Sequence, residues 1–365
     1  MYDPPVKTPA AIDESEETRF GTFPRSSTST HVFWAAVAAL LLIQILGWTY
    51  YLRTRGIVVH TLSGLPGAIL FVGIMVLAAL ILRFVVHRWR PKAGGPNFVK
   101  SSRQLVFYCA ELVTVTIVLA LMGFACSWPK VMIPVVNSRL WDEALIGIDT
   151  ALFLGINPNE FFLTVFEGAP HAVNWLLDHH YAWFIFSQGL ATAWFLADPR
   201  PRRRIAFGSS VILLWILGTY CYLILPTLGP VYVFEGFLPR VNATFPMNAG
   251  TQVALLNNYE SVKLLMAGEP AHVIPFYGIA AMPSLHVAAH FFLFLWARFV
   301  ASPLRYPLLA MATLTLIGSV AIGWHYLVDG LAGMVLAAAA FALAVGMYRV
   351  LVRVTFMSGD DPSPQ

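Results

Sequence analysis

The sequence predicts an all-α integral membrane protein with about eight transmembrane helices, and three observations lead to this fold class. Hydrophobic residues make up 58% of the 365 residues and charged residues only 12%, which leaves too few polar groups to cover a water-soluble globule. Eight apolar runs have about the length that a spanning helix needs, ~20 residues. The basic residues fall in short clusters between these runs rather than on one face, so no nucleic-acid partner is expected.

The eight runs follow one another along the chain between two polar tails. They are residues 32–51, 65–86, 105–126, 172–196, 205–225, 284–300, 308–322 and 326–348. Residues 1–30 are rich in acids, proline, serine and threonine, and the chain closes with a similar segment. Such compositions cannot bury enough apolar surface to fold, so disordered tails are expected at residues 1–30 and 351–365.

The distribution of lysine and arginine predicts how the chain lies in the membrane. With the N-terminus inside, 17 of the 23 basic residues fall in inner segments and 6 in outer segments. Because basic residues stay preferentially in the cytoplasm, both termini are predicted to be cytoplasmic. Two long connections, residues 127–171 and 226–282, then lie on the outer side, where connections of this length usually carry function.

The string "AAMPSLH" brings polar residues to the outer end of the sixth span. Pro283 suits the first turn of a helix, so the backbone N–H groups of Ser284, Leu285 and His286 are expected to be free at a positive helix terminus. Such a terminus is well suited to bind phosphate. The imidazole of His286 could also protonate a leaving oxygen.

The string "GWHYLVDG" forms a second polar cluster on the same predicted side. His325 and Asp329 are four residues apart and therefore lie on one face of a helix. A carboxylate in that position can hold one imidazole tautomer, which leaves the other ring nitrogen available as a nucleophile or base. Since ionisable groups at membrane depth are costly, the two clusters together indicate a functional site.

The polar residues of the apolar runs also have structural interpretations, because a single histidine in a membrane helix often only packs. His290, one turn from His286, could pair with it in a metal site, but no carboxylate or cysteine completes the set nearby, so neither a metal nor a cofactor is expected. The run from Asp178 to His180 cannot form a triad, since adjacent helical residues point in different directions, and is expected in a pocket wall. Glu111 is expected to make an interhelical hydrogen bond.

The two clusters resemble the second and third signatures of the type 2 phosphatidic acid phosphatase superfamily. That family has PSGH and then SR, five residues, H, three residues, D, whereas this chain has Leu285 and Ser319 at two of those positions. Its first signature, K, six residues, RP, is missing; "RFVVHRWRP" from Arg83 imitates it on the cytoplasmic side. With "RLWDEALIGIDTALFLGINP" from Arg139 and "YLILPTLGP" from Tyr222, "PSLH" is more similar to the branch that contains fungal inositol phosphorylceramide synthases.

The resemblance covers the last six spans and implies a fold and a mechanism for them. It implies a six-helix phosphatase or phosphotransferase core at residues 104–350, preceded by two additional helices at residues 31–90. By the same resemblance, His325 would attack phosphorus, Asp329 would orient and support it, and His286 would protonate the departing alcohol.

The departures from the family pattern concern the binding of phosphate. A phosphoryl group in transfer needs positive groups around its oxygens, and two family positions that supply them are not basic here. Arg240, Lys263 or Arg139 could substitute, and the sequence does not choose among them. Ser284 and Leu285 would contribute their backbone N–H groups.

Three kinds of function stay open at this point. The first is an enzyme that moves a phosphorylated head group from a phospholipid to a lipid alcohol through a phosphohistidine, with membrane lipids as donor and acceptor. The second is a hydrolase of a lipid phosphate or polyprenyl diphosphate. The third is a non-enzymatic transporter or scaffold, although the internal repeats or charged path typical of transporters are not found in the sequence. The sequence does not indicate an oligomeric state.

Overall fold

The structure, a computed structural model, describes residues 27–59, 61–89, 102–198 and 200–357. Within these ranges the chain forms fifteen α-helices and no strand, which confirms the predicted fold class. In the first half of the chain the helices are α1 (Ser27–Thr54), α2 (Leu65–Trp89), α3 (Ser102–Val131), α4 (Ile133–Val136), α5 (Asp142–Leu152), α6 (Pro158–Glu167), α7 (His171–Ala182) and α8 (Phe184–Leu196). In the second half they are α9 (Pro201–Ile224), α10 (Pro230–Val233), α11 (Phe237–Thr244), α12 (Pro246–Met266), α13 (Leu285–Phe299), α14 (Arg305–Ala321) and α15 (Leu327–Met357).

Nine of these helices account for the eight apolar runs, because one run contains two helices. By length and composition, α1, α2, α3, α9 and α15 can cross a membrane. The helices α8, α13 and α14 are also apolar but shorter, with 10–17 residues each. The prediction of an integral membrane protein is therefore confirmed.

The fourth predicted span, residues 172–196, differs from the expectation because it consists of two helices, α7 and α8. The α-helical hydrogen-bonding pattern is interrupted at Trp183. Its carbonyl accepts a hydrogen bond at 3.1 Å from the N–H of Phe186, which is three residues later rather than the four of an α-helix. Neither piece reaches the length that a spanning helix needs.

The two long connections, residues 127–171 and 226–282, contain helices of their own. Each contains three helices, α4 to α6 in the first and α10 to α12 in the second. Pro158, Pro230 and Pro246 each occupy the first position of a helix, where a missing N–H costs nothing. These three prolines therefore mark helix starts within the two connections.

The two N-terminal helices pack on the rest of the molecule through α3 and α8. Helix α1 packs against α3, and α2 against α3 and α8, while α9, α13, α14 and α15 pack together beside them. Glu111 of α3 accepts hydrogen bonds from the Arg204 guanidinium of α9 (Nε, 2.9 Å) and the Trp34 indole of α1 (3.3 Å). The interhelical hydrogen bond expected of Glu111 is confirmed, and it forms part of a buried ion pair.

The predicted tails lie mostly outside the described residues. Helix α1 begins at Ser27, within the stretch 1–30 that was predicted to be disordered, and α15 continues to Met357, past the predicted tail start at position 351. The remaining residues of both predicted tails fall outside the described ranges.

Candidate active site

The start of α13 is fastened to α15 by Ser284. As the N-cap residue of α13, Ser284 accepts a hydrogen bond from Val287 N–H at 3.4 Å through its hydroxyl oxygen, as this residue type commonly does. Its own N–H donates to the Asp329 carbonyl at 2.9 Å, and its side chain is fully buried. Ser284 thus sets the position of one polar cluster relative to the other.

Leu285, where the family signature has glycine, is accommodated by Gly218 of α9. A Cβ atom at Gly218 would clash with the Leu285 side chain, so glycine leaves the space that the leucine fills. The Leu285 N–H meets the hydroxyl oxygen of Tyr222. Of the three N–H groups expected to be free at this terminus, only that of His286 is without a partner among the described residues.

His325 lies buried in the turn between α14 and α15 and faces His286. Its Nδ1 is 2.8 Å from the Ala281 carbonyl oxygen and its Nε2 is 3.2 Å from Nδ1 of His286. Because a carbonyl only accepts, Nδ1 of His325 carries a proton, and its neutral ring has its lone pair on Nε2. His286 Nδ1–H therefore donates to the atom of His325 that is suited to act as a nucleophile.

Asp329 stands beside His325 without making the hydrogen bond that the sequence suggested. Its Oδ2 is 3.6 Å from Nδ1 of His325, beyond hydrogen-bond length, and accepts from Tyr326 N–H at 2.8 Å. The Ala281 carbonyl, which sequence reasoning did not identify, is the acceptor that holds the tautomer. The carboxyl group is fully buried, and its Oδ1 has no hydrogen-bond partner among the described residues.

The backbone that carries His325 is held by amides of the outer helices. Asn159 of α6 donates through Nδ2 to the carbonyls of Val320 (2.8 Å) and His325 (3.0 Å). Gln252 of α12 donates to the Ile322 carbonyl at 2.9 Å. The outer helices therefore position the turn in which the histidine lies.

Two buried carboxylates of α5 hold the neighbouring backbone. Asp149 accepts from the N–H groups of Leu327 (2.6 Å) and Val328 (2.7 Å), which begin α15, and burial raises its pKa to about 6. Asp142 accepts from Gly229 N–H (2.9 Å) and the Tyr326 hydroxyl (2.9 Å). Sequence reasoning missed both residues, although their spacing of seven places them on one helix face.

Aromatic rings form a wall around His286. The ring centroids of Tyr181 and Phe184 lie 5.2 and 4.5 Å from that of His286, and Trp324 stacks on Tyr181 at 6.1 Å. The Trp324 indole donates to Asn248 Oδ1 at 3.2 Å. We call Tyr181, Phe184 and Trp324 the aromatic wall.

Asp178 and His180, both in the run that was expected in a pocket wall, contact two different helices. Asp178 is buried and accepts from Met247 N–H (2.8 Å) and Asn248 N–H (3.2 Å), which caps the start of α12. His180 Nε2 lies 2.8 Å from the Thr315 hydroxyl. These contacts fix α7 against α12 and α14.

His290 shares Thr315 with His180. Its Nδ1 lies 2.7 Å from Thr315 Oγ1, and that hydroxyl donates to the Met311 carbonyl at 2.8 Å. The Thr315 hydroxyl thus contacts both imidazoles and the Met311 carbonyl. In the part of the chain that the structure describes, no group of three or more His, Cys, Asp or Glu side chains is arranged to hold a metal ion.

Lys130, at the end of α3, is a basic residue of the site that sequence reasoning missed. Its Nζ lies 5.5 Å from the Tyr222 ring centroid and close enough for its charge to act on His286. Within the described ranges, no carboxylate lies within ion-pair distance of Lys130. The sequence had placed it only among the outer basic residues.

Two of the basic residues expected to bind phosphate already have carboxylate partners. Arg240 pairs with Glu160 (2.6 Å) and Glu167 (2.8 Å), and these contacts raise its pKa. Lys263 pairs with Glu260 at 2.9 Å on the exposed face of α12. Their charges are therefore largely compensated by their own neighbours.

The other positions that were discussed as phosphate ligands have different surroundings. The Arg139 guanidinium lies exposed over the Trp141 ring at 4.2 Å. Ser319, at the arginine position of the family signature, is buried and donates to the Leu316 carbonyl at 2.8 Å. Arg83, of the imitated first signature, donates to a carbonyl of α8 at 3.0 Å.

Comparison with known proteins gives one match. A family model described as the PAP2 superfamily matches residues 143–343, more than half of the chain. The matched range contains both polar clusters and begins after Lys130 and Arg139. No curated protein matches the chain, and no solved structure matches it.

Proposed function

The chain belongs to the PAP2 superfamily, whose members carry out phosphatase or phosphotransferase chemistry on lipids, and from this premise we propose a lipid phosphotransferase. It would move a phosphorylated head group from a phospholipid to a lipid alcohol through a phosphohistidine at His325. The observation that carries the proposal is the pairing of His325 Nε2 with His286 Nδ1 at 3.2 Å. It brings together a nucleophile from the turn before α15 and an acid–base group from α13.

In the first step the lone pair of His325 Nε2 attacks phosphorus. An N–P bond forms, the P–O bond to the lipid alcohol of the donor breaks, and the departing oxygen takes the Nδ1 proton of doubly protonated His286. The ring of His325 becomes positively charged, and the Ala281 carbonyl and the Asp329 carboxylate stabilise that charge.

In the second step the hydroxyl of the acceptor attacks the same phosphorus. Neutral His286 now takes the hydroxyl proton on Nδ1, a new O–P bond forms and the N–P bond to His325 breaks. Both histidines return to their starting protonation states, so the cycle consumes no further reactant.

Lys130 is the first candidate to neutralise the negative charge of the transferring phosphoryl group. Its compact ammonium group lies near His286 without an ion-pair partner among the described residues, so it can face a phosphoryl oxygen. Arg139, exposed and held only by its ring contact, is the second candidate and would meet the head group at the rim. Arg240 and Lys263 are less suited because carboxylates already neutralise them.

Transfer is favoured over hydrolysis by what surrounds the site. The aromatic wall and the outer helices α5, α6 and α12 enclose His286 and His325, and an enclosed apolar site excludes water and favours a lipid hydroxyl arriving from the bilayer. Ceramide or diacylglycerol is the acceptor that we propose. Hydrolysis of a lipid phosphate or polyprenyl diphosphate is the second candidate, since membership of the superfamily fits a phosphatase equally.

The proposal is tested with purified full-length protein in mixed micelles. A phospholipid donor labelled in its phosphorylated head group is supplied with ceramide, with diacylglycerol, or with no added alcohol, and His325→Ala protein is the blank. We expect label on the alcohol faster than water-soluble label appears. Steady release of water-soluble product, unchanged by either alcohol, would assign hydrolysis instead, and no product from any donor would contradict both functions.

A further inference from the structure

Tyr181 carries a buried hydroxyl group that the mechanism above does not use. Its side chain is 4% exposed, and its Oη has no hydrogen-bond partner among the described residues. Leaving a buried hydroxyl donor unpaired is unfavourable, and such groups in native proteins call for an explanation.

The ring of Tyr181 lies beside His286, one of the two histidines of the proposed reaction. Its ring lies 5.2 Å from the His286 ring, and it stacks on Trp324 with an angle of 14° between the planes. The Asp329 carboxyl group and the Tyr222 hydroxyl are near enough to interact with it electrostatically. Tyr181 of α7 is thus surrounded by residues of α9, α13, α15 and the turn before α15.

The neighbouring protein groups make no hydrogen bond to Tyr181 Oη in the structure. His325 and His286 bind each other, Oδ2 of Asp329 accepts from Tyr326 N–H, and Oδ1 of Asp329 is likewise buried without a hydrogen-bond partner among the described residues. On α14, Ser319 is buried against the Leu316 carbonyl and provides no cation. A transferring phosphoryl group would bring new acceptor oxygens to this place, and its oxygens require donors beyond the single charge of Lys130.

We propose that the Tyr181 hydroxyl donates a hydrogen bond to a non-bridging oxygen of the phosphoryl group during both transfer steps. The inference rests on the proposed function, because it needs phosphorus bound at His325. Tyr181 is then a catalytic residue that supplies a neutral donor beside the cation of Lys130. Its bond strengthens as charge develops on the oxygen, so it acts more on the transition state than on substrate binding.

The test replaces Tyr181 with phenylalanine, which removes one oxygen atom. Tyr232→Phe is the matched control, since its hydroxyl donates to the Gln252 carbonyl at 3.0 Å and it lies outside the aromatic wall. Turnover of a labelled phospholipid and inhibition by orthovanadate, a mimic of the phosphoryl group in transfer, are measured for each protein. We expect Tyr181→Phe to lose about 10²-fold in kcat and about tenfold or more in vanadate affinity. The control should keep wild-type values for both.

The outcomes separate this inference from the proposed function. Wild-type protein that neither turns over any phosphate ester nor binds vanadate would refute the proposed function. Wild-type activity and vanadate affinity in Tyr181→Phe would overturn only the role of Tyr181, as would lost turnover with unchanged vanadate affinity. Should Tyr181→Phe fail to fold, 3-fluorotyrosine at position 181 keeps the shape and makes the hydroxyl a stronger hydrogen-bond donor; kcat and vanadate affinity must then both differ from wild type, and unchanged values of both would overturn the inference.

Discussion

Nδ1 of His286 lies 3.2 Å from Nε2 of His325, although the two residues are 39 positions apart, one in α13 and the other in the turn before α15. Ala281 fixes the tautomer of His325, so the lone pair of Nε2 points at a proton of His286. A phosphoryl group that enters must take the place of this hydrogen bond. Each histidine is therefore expected to matter for turnover in a different way.

His325→Ala is expected to abolish turnover, because no other group offers a lone pair at that position. His286→Ala is expected to reduce turnover by about 10² to 10⁴, since it removes the acid and base but leaves the nucleophile. Product formation from a labelled phospholipid measures both. His171→Ala, an exposed histidine at the start of α7, is the matched control and should retain activity. Near-normal activity in His325→Ala would remove that residue from the role of nucleophile.

Asp329→Asn is expected to lower kcat by about 10² to 10⁴, because the amide no longer stabilises the positive ring of His325. The loss should lie toward the lower end, since the Ala281 carbonyl still holds the tautomer. The amide oxygen can keep the bond from Tyr326 N–H, so folding should survive. Steady-state kinetics beside a thermal melt measure the effect; an unchanged kcat in folded protein would show that the charge of Asp329 plays no part.

Asn159→Ala is expected to reduce turnover about 10-fold to 10²-fold and to lower the melting temperature. It leaves the buried carbonyls of Val320 and His325 without a donor, at a cost of about 1–3 kcal/mol for each unpaired group. Asn174→Ala is the control, because Asn174 makes a similar bond to the Phe166 carbonyl at 2.8 Å away from His325. If both variants lose stability and activity in the same proportion, Asn159 has no special effect on the site.

The pKa of Asp149, raised to about 6 by burial, predicts how stability depends on pH. An unfolded aspartate titrates near ~3.9, so between about pH 4 and pH 6 the folded chain holds a proton at Asp149 that the unfolded chain has lost. The contribution of Asp149 to stability therefore falls as pH rises through this window and is constant above it. Thermal melts of wild-type and Asp149→Asn protein isolate the effect. The melting temperature of the wild type minus that of the variant should decline from pH 4 to pH 6, and an increase of this difference would contradict the raised pKa of Asp149.

The distribution of basic residues predicts that the active site lies on the extracytoplasmic side. In a background without native cysteines, Glu269→Cys on the predicted outer side should react with an impermeant thiol reagent in intact cells, whereas Pro303→Cys, between α13 and α14, should react only after lysis. The reverse pattern would place the site in the cytoplasm. Activity of each variant shows that labelling reports the native orientation.

The sequence by itself determined the membrane class and the positions of seven of the eight apolar helices, while the run 172–196 consists of two helices. It also singled out His286, His325 and Asp329, whose roles stay predictions. Helical periodicity and the minimum span length are local properties, so they can be read from consecutive residues. The similarity of two short strings to family signatures then predicted that the two histidines belong to one site.

Only the tertiary structure decided which groups surround those residues. The carbonyl of Ala281, rather than Asp329, binds Nδ1 of His325. Asn159 donates to the backbone carbonyl of His325, and Tyr181 packs beside His286. These contacts join residues that are distant in sequence, and the first two involve backbone carbonyls, which every residue type carries. No local pattern distinguishes such a carbonyl from any other, so the contacts follow only from how the helices pack.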